Sequence, residues 1–166
     1  AGISGFLKAY RGVHEVITTI MLNSIVMAVA DYLASGKLRE PDQFLTRTSE
    51  IAESAKLPIY GNLPSGFFMA VVLAISIWWI LGRTTSGFRI ETVGRNRHAA
   101  WYAGIPVKRT VISAMLISGA IAGLGGAVET LGITYRYAPA FNLGLGFDGI
   151  TIALLGRVHP IGIIPG

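Results

Sequence analysis

Residues 66–81, GFFMAVVLAISIWWIL, decide the fold class of this protein. They lie inside a longer segment, residues 57–82, that contains no charged side chain. A helix that crosses a bilayer needs about 20 mostly apolar residues, whereas the surface helix of a soluble protein carries a polar stripe at helical spacing. Ser76 is the only small polar side chain in the quoted stretch, so it has no such stripe. The stretch predicts a membrane-spanning helix rather than a buried helix of a soluble domain.

Three further segments are strongly apolar. Residues 110–128, TVISAMLISGAIAGLGGAV, are uncharged, and residues 16–33, VITTIMLNSIVMAVADYL, contain one amide, Asn23, and one acid, Asp31. Residues 149–156, GITIALLG, are too few to span a bilayer. Such a segment exists at membrane depth only when it packs within protein or lines a cavity. It therefore predicts a half-helix or a re-entrant segment.

The composition of the 166 residues agrees with these segments. It is 52% apolar and 14% charged, whereas a soluble domain carries roughly 25% charged residues. The absence of cysteine from the sequence excludes disulfides, thiolate metal sites and cysteine catalysis. We predict an all-α, polytopic membrane protein with spans at about residues 16–33, 66–82 and 110–131 and a half-helix at 149–156.

The distribution of charge predicts the orientation of these spans. Residues 83–109 carry six basic side chains against Glu91 alone, which equals the net charge of +5, whereas four basic and four acidic residues cancel in residues 34–64. Excess lysine and arginine mark cytoplasmic loops, so we predict that 83–109 is cytoplasmic and 34–64 is external. Aromatic residues interleave with the basic ones as in nucleic-acid-binding proteins, but topology explains the charge more simply, and we predict no nucleic-acid partner.

Several motifs argue against an enzyme. Residues 144–149, GLGFDG, match GxGxxG, but no strand precedes them as a dinucleotide site requires, and we interpret them as a flexible turn. The phosphate-binding pattern GxxxxGK[ST] does not occur in the sequence. His14, His98 and His159 are far apart and lack clustered carboxylates, so no metal site is predicted. We predict no catalytic residues, no metal and no cofactor.

Two polar residues of the predicted spans are candidates for a solute pathway. Asn23 lies near the middle of its span, and Glu129 lies near the outer end of the third span. Polar groups at membrane depth usually face a bundle interior or a pathway. A hydrogen bond between helices explains Asn23 equally well, and interfacial solvation explains Glu129 nearly as well. Gly119 and Gly123 are spaced for close helix packing.

The segment 94–105, GRNRHAAWYAGI, predicts a short helix within the basic loop. Asn96 can cap it, its alanines favour helix, and Gly104 followed by Pro106 ends it. A helix of this size suits a groove on a soluble partner, or it lies on anionic lipid. The residues assigned to this candidate docking helix are Asn96, Arg97, His98, Ala99, Ala100, Trp101, Tyr102 and Gly104.

Four stretches carry a family resemblance, in matching order. They are residues 12–23 (GVHEVITTIMLN), 94–105 with the following 107–109, 114–132 (AMLISGAIAGLGGAVETLG) and 146–160 (GFDGITIALLGRVHP). The sequence resembles the permease subunits of bacterial ABC importers of the branched-chain amino acid and ribose transport superfamily. Within that superfamily it is most similar to the permeases for simple sugars and nucleosides.

The resemblance implies a multi-pass permease in the bacterial plasma (inner) membrane, surrounded by membrane lipid. Its implied partners are a second permease subunit, cytoplasmic ABC ATPase subunits and an external substrate-binding lipoprotein. The segment 94–105 would be the coupling helix that docks on the ATPase, although Arg97 and His98 stand where the family usually has an acidic or small residue. Members of the family are longer, so the resemblance implies a fragment. An ATP-independent secondary transporter or channel, or a scaffold without transport, remains an alternative.

Overall fold

The computed structural model describes residues 1–36, 48–60, 63–137 and 144–163. Within these ranges the chain is mainly helical, as predicted for an all-α protein. Strands β1 (Ile59–Tyr60) and β2 (Leu63–Pro64) form a two-residue antiparallel hairpin. The helices are α1 (Gly2–Arg11), α2 (Glu15–Ser35), α3 (Ser65–Arg83), α4 (Thr85–Arg95), α5 (Arg97–Tyr102), α6 (Val107–Glu129) and α7 (Leu145–Leu155), with a 3₁₀ turn at Glu53–Ala55 and a π turn at Thr130–Thr134.

Three of the helices are long and apolar enough to cross a membrane, which confirms the predicted fold class. They are α2, α3, and α6 together with its π turn, which ends at Thr134. The predicted spans at 16–33, 66–82 and 110–131 lie inside these helices. At most 6% of the most apolar stretch of any of the three is buried within the described chain, so their apolar side chains are available to lipid or to other helices.

The chain forms two compact units. The first consists of Ala1–Ser24 and Ser76–Leu124, and the second of Ile25–Ile75 and Gly125–Gly166. Each spanning helix contributes one part of its length to each unit. Helices α1, α4 and α5 belong to the first unit, and α7 belongs to the second.

In the first unit, α1 packs against α6 through small residues. A Cβ atom at Gly5 would lie 2.9 Å from the Cβ of Met115, and one at Gly119 would collide with Ala1. Lys108 at the start of α6 places its Nζ 4.7 Å from the centre of the Tyr10 ring. Gly119 therefore has the close neighbour that its spacing predicts. A Cβ atom at Gly123 would meet nothing within 4 Å in the described part of the chain.

In the second unit, residues 48–57 lie beside residues 131–137. The Ile51 N–H donates to the Tyr135 carbonyl at 2.9 Å, and the Leu57 N–H donates to the Leu131 carbonyl at 3.0 Å. The intervening π turn is closed by the Tyr135 N–H, which donates to the Thr130 carbonyl five residues earlier at 2.9 Å. The end of α6 is thus held to a segment that precedes α3 in the chain.

Helix α7 corrects one prediction. The flexible turn predicted for residues 144–149 is wrong, because Gly146 and Gly149 lie inside α7, which begins at Leu145. Each glycine disfavours helix by about 1 kcal/mol, but apolar neighbours support it, and Asp148 in the first turn interacts favourably with the helix dipole. With 11 residues, α7 remains too short to span a bilayer.

Candidate functional site

Both ends of α5 are fixed by local hydrogen bonds. The Asn96 Oδ1 accepts from the N–H groups of His98 and Ala99 at 3.0 and 3.1 Å, as expected of a helix cap. At the other end Gly104 has a φ of +75°, and its N–H donates to the Trp101 carbonyl at 3.0 Å. The Ile105 N–H donates to the Ala100 carbonyl at 3.0 Å, which completes a Schellman motif. The two-turn helix predicted from Asn96 and Gly104 is present.

The exposed face of α5 carries aromatic and cationic side chains. Trp101 is 66% exposed and Tyr102 is 81% exposed, and their rings meet edge to face at 5.1 Å. Arg97 and His98 are also exposed. Ala100 is fully buried, so its side chain packs against the rest of the protein and is not accessible to a partner. The remaining predicted docking residues are all exposed.

Helix α4, which the sequence analysis did not predict, packs against α5. Its N-terminus is capped by Thr84, whose Oγ1 accepts from the Gly87 N–H at 3.1 Å. Its Glu91 pairs with Arg95 at 2.7 Å, and both side chains are exposed. Since Glu91 is the only acid in residues 83–109, this pair leaves the other basic residues of the segment without acidic partners inside it. The segment is therefore a basic surface.

An apolar groove connects α4 to two spanning helices within the first unit. It is lined by Ile80 and Leu81 of α3, Ile90 of α4, and Ile117 and Ile121 of α6, among others. Helix α4 thus contacts the same groove as the spanning helices.

The two predicted pathway residues lie in different units. Asn23 is an exposed residue of α2 in the first unit, and Glu129 is the half-buried last residue of α6 in the second. The π turn begins directly after Glu129, and turns of this kind frequently occur at functional sites.

A hydrogen bond that the sequence analysis missed joins α2 to the segment after α6. The Tyr137 hydroxyl donates to Asp31 Oδ1 at 2.8 Å. Burial raises the pKa of the Tyr137 phenol, and the nearby Asp31 carboxyl raises this pKa further. Because 106 residues separate the partners, no local pattern could have indicated this contact.

Residues 50–56 and 135–136 contribute the side chains of an ionic cluster. Lys56 Nζ contacts Glu53 at 2.7 Å and Glu50 at 3.0 Å, and it lies 5.0 Å from the centre of the Tyr135 ring. Arg136 approaches Glu50 at 3.8 Å. The hydrogen bonds that Lys56 donates to Glu53 and Glu50 raise the pKa of Lys56, and the one that Glu50 accepts lowers the pKa of Glu50.

Among the residues that the structure describes, no group of three or more histidine, aspartate or glutamate side chains could hold a metal ion.

The comparisons with known proteins define the class of protein. The family described as branched-chain amino acid transport system / permease component matches residues 1–166. The chain belongs to this family, which confirms the resemblance seen in the sequence. It is thus part of a multi-pass membrane protein of the permease class.

Individual relatives are permeases of ABC transporters. The chain is 43% identical to the guanosine ABC transporter permease protein NupP of Bacillus subtilis, over 98% of the chain and 48% of that protein. It is 36% identical to the nucleoside ABC transporter permease protein NupB of Lactococcus lactis, over 98% and 48%. It is 30% identical to a glucose ABC transporter permease of Haloferax volcanii, over 95% and 45%. The chain therefore spans about half the length of these relatives. No solved structure matches it.

Proposed function

We propose that the protein is the membrane-spanning subunit of an ATP-driven importer of nucleosides in the bacterial inner membrane. The observation that carries this proposal is the match of the permease family over the whole chain. The solute class follows the two most similar relatives named above, which are guanosine and nucleoside permeases. A simple sugar is the second solute class to test, because a glucose permease is also similar.

The exposed patch of α5 is the proposed docking surface for a cytoplasmic ABC ATPase subunit. Tryptophan, tyrosine and arginine are the residue types that dominate binding energy at protein interfaces, and α5 presents all three as Trp101, Tyr102 and Arg97. The two caps hold α5 in one conformation, so little ordering is needed on binding. The surrounding basic surface complements an acidic partner.

Transport in this proposal depends on movement of the docking segment. ATP is bound and hydrolysed by the separate ATPase subunit, and the permease itself makes and breaks no covalent bond. When the ATPases close, α5 and the attached α4 shift, and Ile90 of α4 transmits the shift to the groove between α3 and α6. The result is a change in the relative stability of inward-open and outward-open states. A second permease subunit and an external binding lipoprotein complete the assembly, with Asn23 and Glu129 as pathway residues.

The decisive experiment uses the full-length permease, co-expressed with its ATPase and its substrate-binding protein. Uptake of radiolabelled guanosine into proteoliposomes should require ATP and persist when ion gradients are dissipated. Trp101→Ala should weaken ATPase binding by about 2 kcal/mol or more, as for an interface hot spot, and should abolish uptake without loss of permease expression.

Phe88→Ala is the matched control, because Phe88 is an exposed aromatic residue of the same basic segment, but it lies on α4. This variant should keep both ATPase binding and uptake. Normal uptake by the Trp101→Ala variant would rule out α5 as the docking helix. Uptake that ignores ATP and follows an ion gradient would instead identify a secondary transporter.

A further inference from the structure

The chain reversal after α7 places an arginine where helix ends favour glycine. Arg157 has a φ of +54°. Its N–H donates to the Leu154 carbonyl at 3.0 Å, and the Val158 N–H donates to the Ala153 carbonyl at 2.8 Å. This is the Schellman pattern that also ends α5, where the corresponding residue is Gly104. A left-handed conformation disfavours an L-residue by about 1–2 kcal/mol relative to glycine.

The next residue adds to this strain. Val158 has a φ of +56°, and a β-branched residue in this region is a genuine outlier. The reversal is nevertheless tightly closed, because a Cβ atom at Gly156 would lie 2.8 Å from the carbonyl group of Gly162. Strained residues persist where the surrounding structure fixes them, and they cluster at sites that bind ligands.

The length of α7 determines how deep the reversal lies. Its 11 residues extend about 16 Å at 1.5 Å per residue, which is half of a hydrocarbon core about 30 Å thick. We place α7 according to the orientation predicted from the charges, in which α6 ends at the outer surface and α7, the next helix in the chain, runs inward from that side. Arg157 then lies near the middle of the bilayer.

A guanidinium at this depth needs a polar environment. Arginine is costly at the centre of a membrane and usually faces a bundle interior or a water-filled cavity that forms a pathway. Arg157 is exposed and forms no ion pair within residues 1–36, 48–60, 63–137 and 144–163. No acidic side chain of these ranges therefore occupies its hydrogen-bond donors.

We infer that Arg157 is a solute-contacting residue of the pathway, and that it recognises a 6-oxopurine nucleoside by donating two hydrogen bonds to the O6 and N7 atoms of the base. The inference rests on the proposed import function and deepens it. Guanidinium is a rigid fork with donors only, and it pairs with these two acceptors as arginine does with guanine in the major groove of DNA. Adenine presents an amino donor in place of O6, so the same contact disfavours adenosine.

Three variants of the full-length permease, assembled with its partner subunits in proteoliposomes, test this role. Arg157→Gly removes the guanidinium and also the backbone strain. The melting temperature of the complex should equal or exceed that of the wild type, while guanosine uptake should fall about tenfold or more, as for loss of one bidentate base contact. Val158→Gly relieves strain at the neighbouring residue and should leave uptake unchanged. Arg157→Lys keeps the charge but loses the fork, and it should lose most of the preference for guanosine.

The ratio of guanosine to adenosine uptake is the readout that a structural role would not change. It should exceed one in the wild type and in Val158→Gly, and be lower in Arg157→Gly, since the binding protein is the same in all of these assemblies. Unchanged guanosine uptake by Arg157→Gly would overturn the inference and leave the import function intact. A lower melting temperature of that variant would overturn it by showing that Arg157 serves packing. ATP-dependent uptake of a sugar but of no nucleoside would also overturn it, and a wild type without ATP-dependent uptake would overturn both proposals.

Discussion

At the scale of single residues, Gly87 illustrates how the absence of a side chain fixes the path of the chain. A Cβ atom there would collide with the carbonyl oxygens of Ile80 and Leu81 at the end of α3. Thr84 strengthens the same corner, because its Oγ1 donates to the Ile80 carbonyl at 2.6 Å and accepts from the Gly87 N–H. The backbone of α4 can therefore approach α3 only because residue 87 has no side chain.

Gly87→Ala should destabilise the corner between α3 and α4 by about 1–3 kcal/mol, as overpacking of a close contact does. Gly94→Ala is the control in the same helix, since a Cβ atom at Gly94 meets nothing within 4 Å in the described chain. It should be neutral or stabilising by about 0.5–1 kcal/mol. Thermal denaturation of the purified complex measures both, and equal melting temperatures would contradict the proposed contact.

The cluster around Lys56 predicts a pH dependence for segment 48–57. The pKa of Glu50 is lowered from 4.5, so its stabilising effect is present above that value and is lost as the pH falls through the lowered pKa. The pKa of Lys56 is raised from 10.5, so its effect is lost only as the pH rises through the raised pKa. The segment should therefore stay in place between about pH 5 and about pH 9 and loosen in acid.

Hydrogen exchange at the Ile51 amide measures this, because that amide donates to the Tyr135 carbonyl. Its protection, corrected for the intrinsic rate, should fall below about pH 4.5. Glu50→Gln should remove the acid-dependent step. An identical acid transition in that variant would mean that another group controls the segment.

At the scale of elements, α5 depends on its caps more than on its length. Six residues are too few for a helix to be stable by itself in water. The Asn96 side chain, the Gly104 turn and the buried Ala100 compensate for this. These are local signals, so the sequence alone was enough to locate α5 and both of its ends.

Asn96→Ala should therefore destabilise α5 by about 0.5–2 kcal/mol, the usual effect of losing an N-cap. The amides of His98 and Ala99 should exchange faster, and coupling of ATP hydrolysis to uptake should weaken. Asn96→Ser should preserve both, because serine is an equally good cap. Faster exchange in the serine variant as well would show that the cap is not what holds α5.

Other elements were less accessible to sequence analysis. Helix α1 was missed because Lys8 and Arg11 interrupt its apolar pattern, and its inward face consists of Ser4 and Gly5, which carry no hydrophobic signal. Helix α4 is polar on average and depends on contact with α5 for its place. In both cases tertiary packing, rather than local preference, determines the structure.

At the scale of the whole molecule, the three spans were predictable because the bilayer requires only length and apolar composition. The contacts between helices depend instead on single small residues, such as Gly66 against Val128 in the second unit. The polar contacts of that unit, such as Tyr137 with Thr48, join residues 89 positions apart. The helix α5 could be predicted because its caps are local in the sequence. The contact between Tyr137 and Thr48 could not, because no periodic pattern in the sequence indicates a pair so far apart.

Because of the π turn at Thr130–Thr134, the number of residues at the end of α6 determines which residues after it pair with the segment before α3. Its wider hydrogen bond, from Tyr135 to Thr130, accommodates one residue more than an α-helical turn would. Deleting any one of these five residues would leave an ordinary helical turn and advance everything after it by one position. Tyr135 and Tyr137 would then no longer face Ile51 and Thr48. In a relative, an alignment gap of a single residue after α6 would therefore signal a different pairing between this segment and the one that precedes α3.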